Sequence, residues 1–397
     1  MKRRQFIQTS GLATAAMMIP NFLKAQENKV LSDSDKVLIV IQLTGGNDGL
    51  NTVVPYENDL YYNARPKIAI QKNEVLKLNS ELGLNPAMQG FKNLFDEGRL
   101  CLINNVGYPE PDRSHFRSMD IWQTASNSNE YKTTGWLGRY LDEKCNTCNQ
   151  PTQVLEIDDT LSLALKGKNA KGLSMKDPKR LYGTTLDTYI NQLSKQHVVG
   201  DHEHDNAEYL YKTLAETVSS AAYIYQTSKV YKSATTYPNH QFGKSMKTIA
   251  ELITSGVNTN VYYVSLGSFD THFNQQKRQA DLLQQLSETV KVFMDDLKVS
   301  GKQDNVLLMT FSEFGRRVSE NASGGTDHGT ANQIFLFGNK LKQKGIYNEA
   351  PNLSDLDDGD LKFSVDFKNV YSTILKKWLN TDEQSILGNK YQYLNFI

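Results

Sequence analysis

Residues of the types that bind divalent cations follow or precede several short apolar runs in this sequence. A mixed carboxylate and imidazole set suits zinc, while an oxygen-rich set suits manganese, magnesium or calcium. The pattern predicts a site for one or two divalent metal ions. Its candidate ligands are Asp48 in TGGNDG, Asp270 and His272 in GSFDTH, Glu313 in FSEFGR, and Asp327 and His328 in GGTDHG.

The spacing of these residues differs in how strongly it indicates metal binding. In an extended segment, residues two apart project to the same side, so Asp270 and His272 can face one cation. Asp48 follows two glycines that allow a tight turn, and by itself it is equally typical of a turn residue that caps its own loop. The pair Asp270 and His272 therefore indicates metal binding more strongly than Asp48 alone.

A second group of residues offers a nucleophile and contacts for an anion. Ser114 lies at the start of a predicted helix, where positive potential helps an anionic substrate to bind. His115 and Arg316 are candidate contacts to that substrate. The alternatives are an ordinary helix-capping role for Ser114 and a packing role for His115. These three residues are the predicted catalytic set.

The elements that must position these residues indicate an α/β protein. Continuous apolar runs of strand length are typical of a buried parallel sheet, and amphipathic segments between them predict helices. Ligands gather at the carboxyl ends of such strands. We therefore predict a doubly wound, mostly parallel sheet flanked by helices. The predicted strands are 36–43, 99–105, 261–266, 306–311 and 333–337, and the predicted helices are 86–95, 274–299 and 367–379.

The middle of the chain has a different character. It is polar and punctuated up to about residue 200, and a helical, tyrosine-rich segment follows from Asp205 to Lys232. We predict that residues 149–245 form a cap or insertion within a domain that spans 26–397.

The N-terminus predicts export. Lys2-Arg3-Arg4 precedes a short apolar stretch from Gly11 to Ile19, and Phe22-Leu23-Lys24-Ala25 offers a cleavage site before Gln26. This order is typical of a twin-arginine signal peptide over residues 1–25, and its apolar part is shorter than the roughly 20 residues of a membrane span. The expected partner is the twin-arginine export machinery. The expected location is periplasmic or secreted, with no transmembrane span in the mature chain.

Charge and cysteine content restrict the function classes. Without residues 1–25 the chain loses four of its 44 basic residues and none of its 44 acidic ones, so it becomes slightly acidic. That balance does not favour nucleic acid as a partner. Cys145 and Cys148 form a single C-x-x-C pair, which predicts a local disulfide or two free thiols rather than structural zinc, and Cys101 is predicted to lie in the core.

Several motifs together carry a family resemblance. The order GGNDGLN, RSHF, TGWLGRYL, FDTH, SEFGRR and GTDHG resembles the exported bacterial family labelled domain of unknown function 1501. The resemblance spans nearly the whole mature chain. That family is similar to the alkaline phosphatase and sulfatase superfamily, which implies a doubly wound sheet with a metal site at the strand ends.

The resemblance also implies roles for single residues. Asp48 matches the metal carboxylate after the first strand, and Ser114 matches the nucleophile. Asp270 and His272 resemble the ligands of one metal. Glu313 takes the place of a carboxylate of a second metal, and His328 is a candidate third ligand for the first.

Two departures from the superfamily pattern bear on the chemistry. Phe314 follows Glu313 where the superfamily often has a histidine, so a second metal would have fewer ligands or be absent. The Cys/Ser-x-Pro-x-Arg pattern of sulfatases is missing around Ser114, which argues against ordinary sulfatase chemistry. The sequence therefore predicts a metal-dependent hydrolase of the phosphatase or phosphodiesterase type, with Ser114 as nucleophile and with sulfate esters as the alternative substrates.

A competing hypothesis comes from another class of protein. The same fold can serve as a catalytically inactive glycan-binding or assembly component, with an anionic ester or glycan as ligand in either case. The tyrosine-rich segment, Trp122 and Trp136 would suit a glycan surface. A folded, metal-free protein would favour this alternative.

Overall fold

The computed structural model describes residues 36–144, 151–194 and 205–397. The predicted signal peptide over residues 1–25 and the pair Cys145 and Cys148 lie outside the described residues. Within them, residues from Lys36 to Ile397 belong to one compact unit. No helix among the described segments is long and apolar enough to cross a membrane.

Fourteen strands are found in the described segments. They are β1 Val37–Leu43, β2 Val53–Val54, β3 Leu76–Lys77, β4 Gly83–Leu84, β5 Leu100–Gly107, β6 Val154–Glu156, β7 Leu173–Ser174, β8 Val261–Leu266, β9 Val306–Ser312, β10 Asn332–Phe337, β11 Gly345–Ile346, β12 Leu356–Asp357, β13 Asp360–Leu361 and β14 Val365–Asp366.

Helices connect and cover these strands. They are α1 Asp59–Ala64, α2 Gln89–Asp96, α3 His115–Thr124, α4 Trp136–Lys144, α5 Pro178–Thr185, α6 Thr188–Leu193, α7 Asp205–Thr227, α8 Gln241–Thr254, α9 Gln275–Val299, α10 Phe367–Thr373 and α11 Glu383–Leu387, with one π-helical turn at Ile374–Trp378 after α10.

The main sheet has nine strands in the order β11-β5-β10-β9-β1-β8-β6-β7, with β14 also paired to β5. All pairs are parallel except those of β10, which runs antiparallel to both β5 and β9. The prediction of a doubly wound, mostly parallel α/β sheet is confirmed. Because β10 is reversed, the residues that precede it lie at the same edge as the residues that follow β1, β8 and β9.

The alternation of β1 explains why helices cover both faces of the sheet. Ile39 and Ile41 pack into one apolar cluster together with α2, α8 and α9, while Leu38 and Val40 pack into a second cluster with α3, α4 and α10. Successive side chains of a strand point to opposite faces. A strand that is apolar at every position is therefore stable only when both faces are buried, as they are here.

The stretch predicted to form a cap contributes to the main sheet as well. In its described part, β6 and β7 extend the sheet beyond β8, and α5, α6 and α7 follow. The helix predicted over 205–232 ends at Thr227. The division of the chain into a domain and a cap stays a prediction.

The glycines of TGWLGRYL have a steric explanation. Gly138 lies in α4, and a Cβ atom at this position would come closer than 3.0 Å to the carbonyl carbon of Lys166 and the amide nitrogen of Gly167. This close approach of two backbones leaves no space for a side chain. The motif is therefore a packing feature of α4.

We expect Gly138→Ala to lower the free energy of unfolding by about 1–3 kcal/mol or more, because overpacking forces the backbone to shift. Gly183→Ala is the matched control: its Cβ would meet nothing within 4 Å in α5, and alanine is worth up to about 1 kcal/mol in a helix. Urea denaturation measures both changes. Equal stability of the two variants would contradict the packing explanation.

Candidate metal centre

Three histidines and one aspartate converge at the carboxyl edge of the sheet. Asp270 and His272 follow β8, His328 precedes the reversed strand β10, and His115 begins α3. We call these four residues the ligand cluster. Ligand atoms of His115, Asp270 and His328 all lie within 4.8 Å of one another.

The histidine Nε2 atoms of the ligand cluster surround one carboxylate oxygen. Asp270 Oδ1 lies 3.1 Å from His272 Nε2, 3.5 Å from His328 Nε2 and 3.6 Å from His115 Nε2. The Nε2 atoms of His272 and His328 are only 2.9 Å apart. The ligand atoms of His115, Asp270 and His328 therefore face a common point, and His272 adjoins them through Asp270 and His328.

The opposite nitrogen of each ring is held by an acceptor. Nδ1 of His115 donates to Glu313 Oε1 at 3.0 Å, and Nδ1 of His328 donates to the Arg113 carbonyl at 2.8 Å. Nδ1 of His272 donates in the same way to Asp327 Oδ1 at 3.1 Å. Since carbonyl and carboxylate oxygens only accept, a neutral His115 or His328 ring carries its proton on Nδ1 and presents a lone pair at Nε2, whereas His272 has an acceptor beside each ring nitrogen. Metal-binding histidines are usually oriented in this way.

The 2.9 Å contact between His272 Nε2 and His328 Nε2 requires either a proton or a cation between the two nitrogen atoms. His115 Nε2 is buried and has no hydrogen-bond partner among the described residues, and such a buried atom is costly. A tetrahedral ion with bonds of about 2.0–2.1 Å would hold its ligand atoms about 3.3 Å apart. The distances from Asp270 Oδ1 to the three Nε2 atoms, 3.1–3.6 Å, and the 2.9 Å between the Nε2 atoms of His272 and His328 are close to this value.

The pKa shifts of the ligand cluster act on cation binding in two directions. Burial alone would raise the pKa of Asp270, but the hydrogen bond and charge of Arg316 outweigh it and hold this pKa below its ordinary value. Burial lowers the pKa of His328. For His115, the hydrogen bond to Glu313 raises the pKa and outweighs the opposing effect of burial. Because a metal binds ionised carboxylates and neutral imidazoles, the shifts of Asp270 and His328 favour binding, whereas the cation has to displace a proton from His115.

Arg316 lies beneath the ligand cluster rather than at its surface. Its buried guanidinium donates to the Gly46 carbonyl at 2.6 Å, to the Thr326 carbonyl at 2.8 Å, to Asp270 Oδ1 at 2.7 Å, and also to the Gly45 carbonyl. This differs from the expected contact with a substrate anion, because the guanidinium is enclosed and bonded to protein oxygens. In this position Arg316 orients Asp270.

The two glycines of TGGNDG make this arrangement sterically possible. Gly45 and Gly46 have φ angles of +117° and +70°, which favour glycine. A Cβ atom at Gly45 would collide with the Asp270 backbone, and one at Gly46 would collide with the Phe314 ring. The loop after β1 can therefore pass directly beneath the ligand cluster.

Asp48 does not lie in the ligand cluster. It is 1% exposed, and its Oδ2 accepts from Arg65 Nη1 at 2.6 Å and from the Gln275 amide. Its Oδ1 accepts from the backbone amides of Leu50 and Asn51. This placement differs from the expected role as metal ligand, because both oxygens are already engaged by protein donors.

Glu313 and Asp327, which were predicted to bind the metal, contact the Nδ1 side of the histidine rings instead. Glu313 is fully buried and accepts from His115 Nδ1 and, at 2.8 Å, from the Gly45 amide. Asp327 accepts from His272 and from the Asn321 side chain at 3.1 Å. Both carboxylates thus orient histidines, and neither belongs to the set of His115, Asp270 and His328 whose ligand atoms lie close together.

Ser114 lies between two residues that contact the ligand cluster. The carbonyl of Arg113 binds His328, and His115 belongs to the cluster itself. Ser114 is exposed and precedes α3, but its side chain makes no capping hydrogen bond. Ser114 is therefore an exposed residue that directly precedes a member of the ligand cluster in the chain.

Sequence reasoning missed several residues of this region. The ring of Phe314 packs against His115 and His328, with centroids 4.9 and 4.7 Å away. Arg65 is the main partner of Asp48 and carried no sequence signal of its own. The Asn321 side-chain amide donates to Asp327 Oδ1, and the sequence around Asn321 contains no motif that indicates this contact. Phe314 had been noted only as a departure from the superfamily pattern.

Solved structures similar to this chain include three with 10% sequence identity. They are the lipoteichoic acid synthase LtaP from Listeria monocytogenes (80% of this chain and 70% of that chain covered, TM-score 0.35), a protein in the alkaline phosphatase superfamily from Vibrio parahaemolyticus (89% and 68%, 0.38) and the PsFucS1 sulfatase from Pseudoalteromonas sp. (93% and 70%, 0.39). Because every TM-score lies below 0.5, these likenesses do not decide the activity.

Comparison with curated proteins found no match. A family model described as protein of unknown function (DUF1501) matches residues 99–391. The matched region includes every member of the ligand cluster and most of the main sheet. The chain therefore belongs to the DUF1501 family.

Proposed function

We propose that this protein is an exported, metal-dependent hydrolase of phosphate or sulfate esters. The observation that carries the proposal is the convergence of three histidine Nε2 atoms on Asp270 Oδ1, each ring being fixed through Nδ1. Three nitrogens and one oxygen favour zinc over magnesium or calcium, which prefer oxygen ligands. One ion is proposed, held by the ligand cluster.

In the proposed mechanism, a metal ion supplies positive charge, and Ser114 and the N-terminus of α3 supply the nucleophile and a site for the anionic group. A bound divalent cation supplies positive charge that stabilises the negative charge developing on the ester oxygens in the transition state. The Ser114 oxygen bonds to the phosphorus or sulfur atom, the bond from that atom to the alcohol oxygen breaks, and the serine proton ends on the alcohol that leaves. Water then hydrolyses the ester formed on Ser114 and restores the hydroxyl. The N-terminus of α3, where Ser114 lies, favours the anionic group of the substrate.

Export completes the proposal. The twin-arginine pattern at residues 2–4 supports passage through the twin-arginine machinery to the periplasm or beyond. Replacement of Arg3 and Arg4 by lysine and fractionation of cells test the route. Unchanged export of the lysine variant would contradict it.

We expect Ser114→Ala to lower hydrolysis of any responsive ester by at least about 10²-fold while metal content stays unchanged, because the variant lacks the nucleophile but keeps the ligand cluster. A panel of 4-nitrophenyl phosphate, bis(4-nitrophenyl) phosphate and 4-nitrophenyl sulfate identifies the responsive ester. Ser323→Ala removes another exposed hydroxyl near the site and serves as the control. Wild-type turnover by Ser114→Ala would remove Ser114 from the mechanism.

A further inference from the structure

A cavity of about 260 Å³ has Phe314 in its wall. We call it the side cavity. The same Phe314 ring packs against His115 and His328. Phe314 therefore belongs both to the wall of the side cavity and to the surroundings of the ligand cluster. The side-cavity residues used below are Tyr108, Glu110, Trp122, Phe314, Lys362 and Phe363.

The side cavity and the proposed nucleophile belong to one loop. Tyr108 and Glu110 line the cavity, and the chain continues directly to Ser114 and His115. Glu110 has a φ angle of +52°, a conformation that residues other than glycine seldom adopt. Such a conformation persists only where the surrounding structure imposes it. The loop therefore fixes the cavity and the nucleophile relative to each other.

Trp122 gives the side cavity a fixed aromatic wall. Its indole stacks on Phe311 and Phe367, with ring centroids 5.2 and 4.3 Å away, and is almost fully buried. Its Nε1 atom is enclosed by protein atoms. Trp122 therefore contributes a rigid ring surface to the cavity.

The dimensions and the lining of the side cavity restrict what fits. A cavity of about 150 Å³ already admits benzene, so about 260 Å³ accommodates one substituted six-membered ring. Aromatic walls from Tyr108, Trp122 and Phe363 favour a flat ring face. Glu110 and Lys362 are exposed and add charged groups to the lining. The ring should therefore carry oxygen substituents.

We propose that the side cavity binds the alcohol part of the ester as a single oxygen-bearing six-membered ring, such as a phenol or a sugar. This inference rests on the proposed function, since it assigns the leaving group of the same reaction. Phe363 is then a specificity-determining residue. It is 38% exposed, so its ring is accessible from solvent.

The test measures binding and selectivity separately. Isothermal titration calorimetry of the metal-loaded protein with 4-nitrophenol and with methyl α-glucoside reports binding of the two ring types without turnover. Hydrolysis of phenyl phosphate, glucose 6-phosphate and methyl phosphate gives the ratio of kcat/KM for each ring ester to that for methyl phosphate. Tighter binding of 4-nitrophenol and faster hydrolysis of phenyl phosphate would identify the ring as aromatic. Tighter binding of methyl α-glucoside and faster hydrolysis of glucose 6-phosphate would identify it as a sugar.

Phe363→Ala and Phe363→Leu are the test variants, the second of which keeps apolar volume but loses the flat face. We expect both to weaken ring binding and to lower the selectivity ratio at least 5-fold. Phe273→Ala is the matched control, because Phe273 is an exposed aromatic residue beside His272 that does not line the cavity. It should leave ring binding unchanged.

The outcomes separate this inference from the proposed function. Hydrolysis with no preference for ring esters, or a ratio that Phe363→Ala does not change, overturns the side-cavity assignment and leaves the hydrolase intact. Absence of ring binding to wild-type protein overturns it as well. Ring binding that depends on Phe363, together with no hydrolysis of any ester, supports the cavity and contradicts the hydrolase.

Discussion

Protein purified without chelator or affinity metal is expected to carry one divalent cation per chain, and the Asp270→Ala/His272→Ala variant is expected to carry none. Asp270 Oδ1 is the atom on which the three histidine Nε2 atoms converge, and His272 Nε2 is the nearest of the three at 3.1 Å. The double substitution therefore removes half of the ligand cluster. Elemental analysis of both proteins measures the difference directly.

The metal should also contribute to stability. A ligand that binds only the folded chain stabilises it by about 2.7 kcal/mol at 100 times its Kd and about 4.1 kcal/mol at 1,000 times. Chelation should therefore lower the unfolding temperature of the wild type and leave that of the double variant unchanged. His240→Gln is the control, because His240 caps α8 away from the site. A folded wild type that takes up no zinc on titration would contradict the proposed centre.

Removal of a carboxylate that orients a histidine of the ligand cluster should weaken metal binding without abolishing it. Asp327→Ala removes the acceptor that holds His272 Nδ1, and such orienting partners are typically worth about 10–100-fold in metal affinity. The Asp327 side chain is 60% exposed, so the change should not disturb folding. Asp281→Ala, which removes an exposed carboxylate from α9, is the control. Zinc competition titration measures both Kd values, and equal values would exclude an orienting role.

The second large effect concerns stability. We expect Arg65→Met to lower the free energy of unfolding by about 3–5 kcal/mol, because it leaves Asp48 buried without its positive partner. Arg65 is fully buried and also donates to the Val318 carbonyl at 2.8 Å and the Arg317 carbonyl at 2.9 Å. Its removal therefore leaves several acceptors unpaired. Urea denaturation measures the change.

An exposed ion pair nearby provides the matched control. Lys72 pairs with Glu57, but their side chains are 56% and 41% exposed, so Lys72→Met should cost less than about 1 kcal/mol. Adding Asp48→Asn to Arg65→Met should restore part of the stability, since the uncompensated charge is removed. If Arg65→Met were as stable as Lys72→Met, the buried pair would not be a main support of this loop.

The same variants decide between two roles for Asp48. The sequence and the family resemblance suggest a metal ligand, whereas the structure pairs Asp48 with Arg65 and Gln275. If the pairing describes its role, Asp48→Asn keeps its metal and loses stability. If Asp48 binds the cation, the metal is lost as well.

Local sequence was sufficient for most elements of the fold. The run 261–266 is strand β8 at those bounds, and the amphipathic segment from 274 to 299 is α9 from Gln275 to Val299. Such runs are informative because burial on both faces requires apolar side chains at every position. The reversed direction of β10 was not predictable, since the side-chain composition of a buried strand does not depend on the direction in which the strand runs.

The sequence by itself determined which chemical groups lie in the loops at the carboxyl edge of the sheet, because each candidate follows or precedes a strand by a short stretch of chain. Only the tertiary structure decided which of them face a common point. Glu313 and His115 are 198 residues apart, and their contact turns the carboxylate into an orienting group and the histidine into a candidate ligand. The role of a carboxylate depends on which donor lies within about 3 Å of it. For Asp48 that donor is Arg65, which comes from another element, and only folding brings the two together.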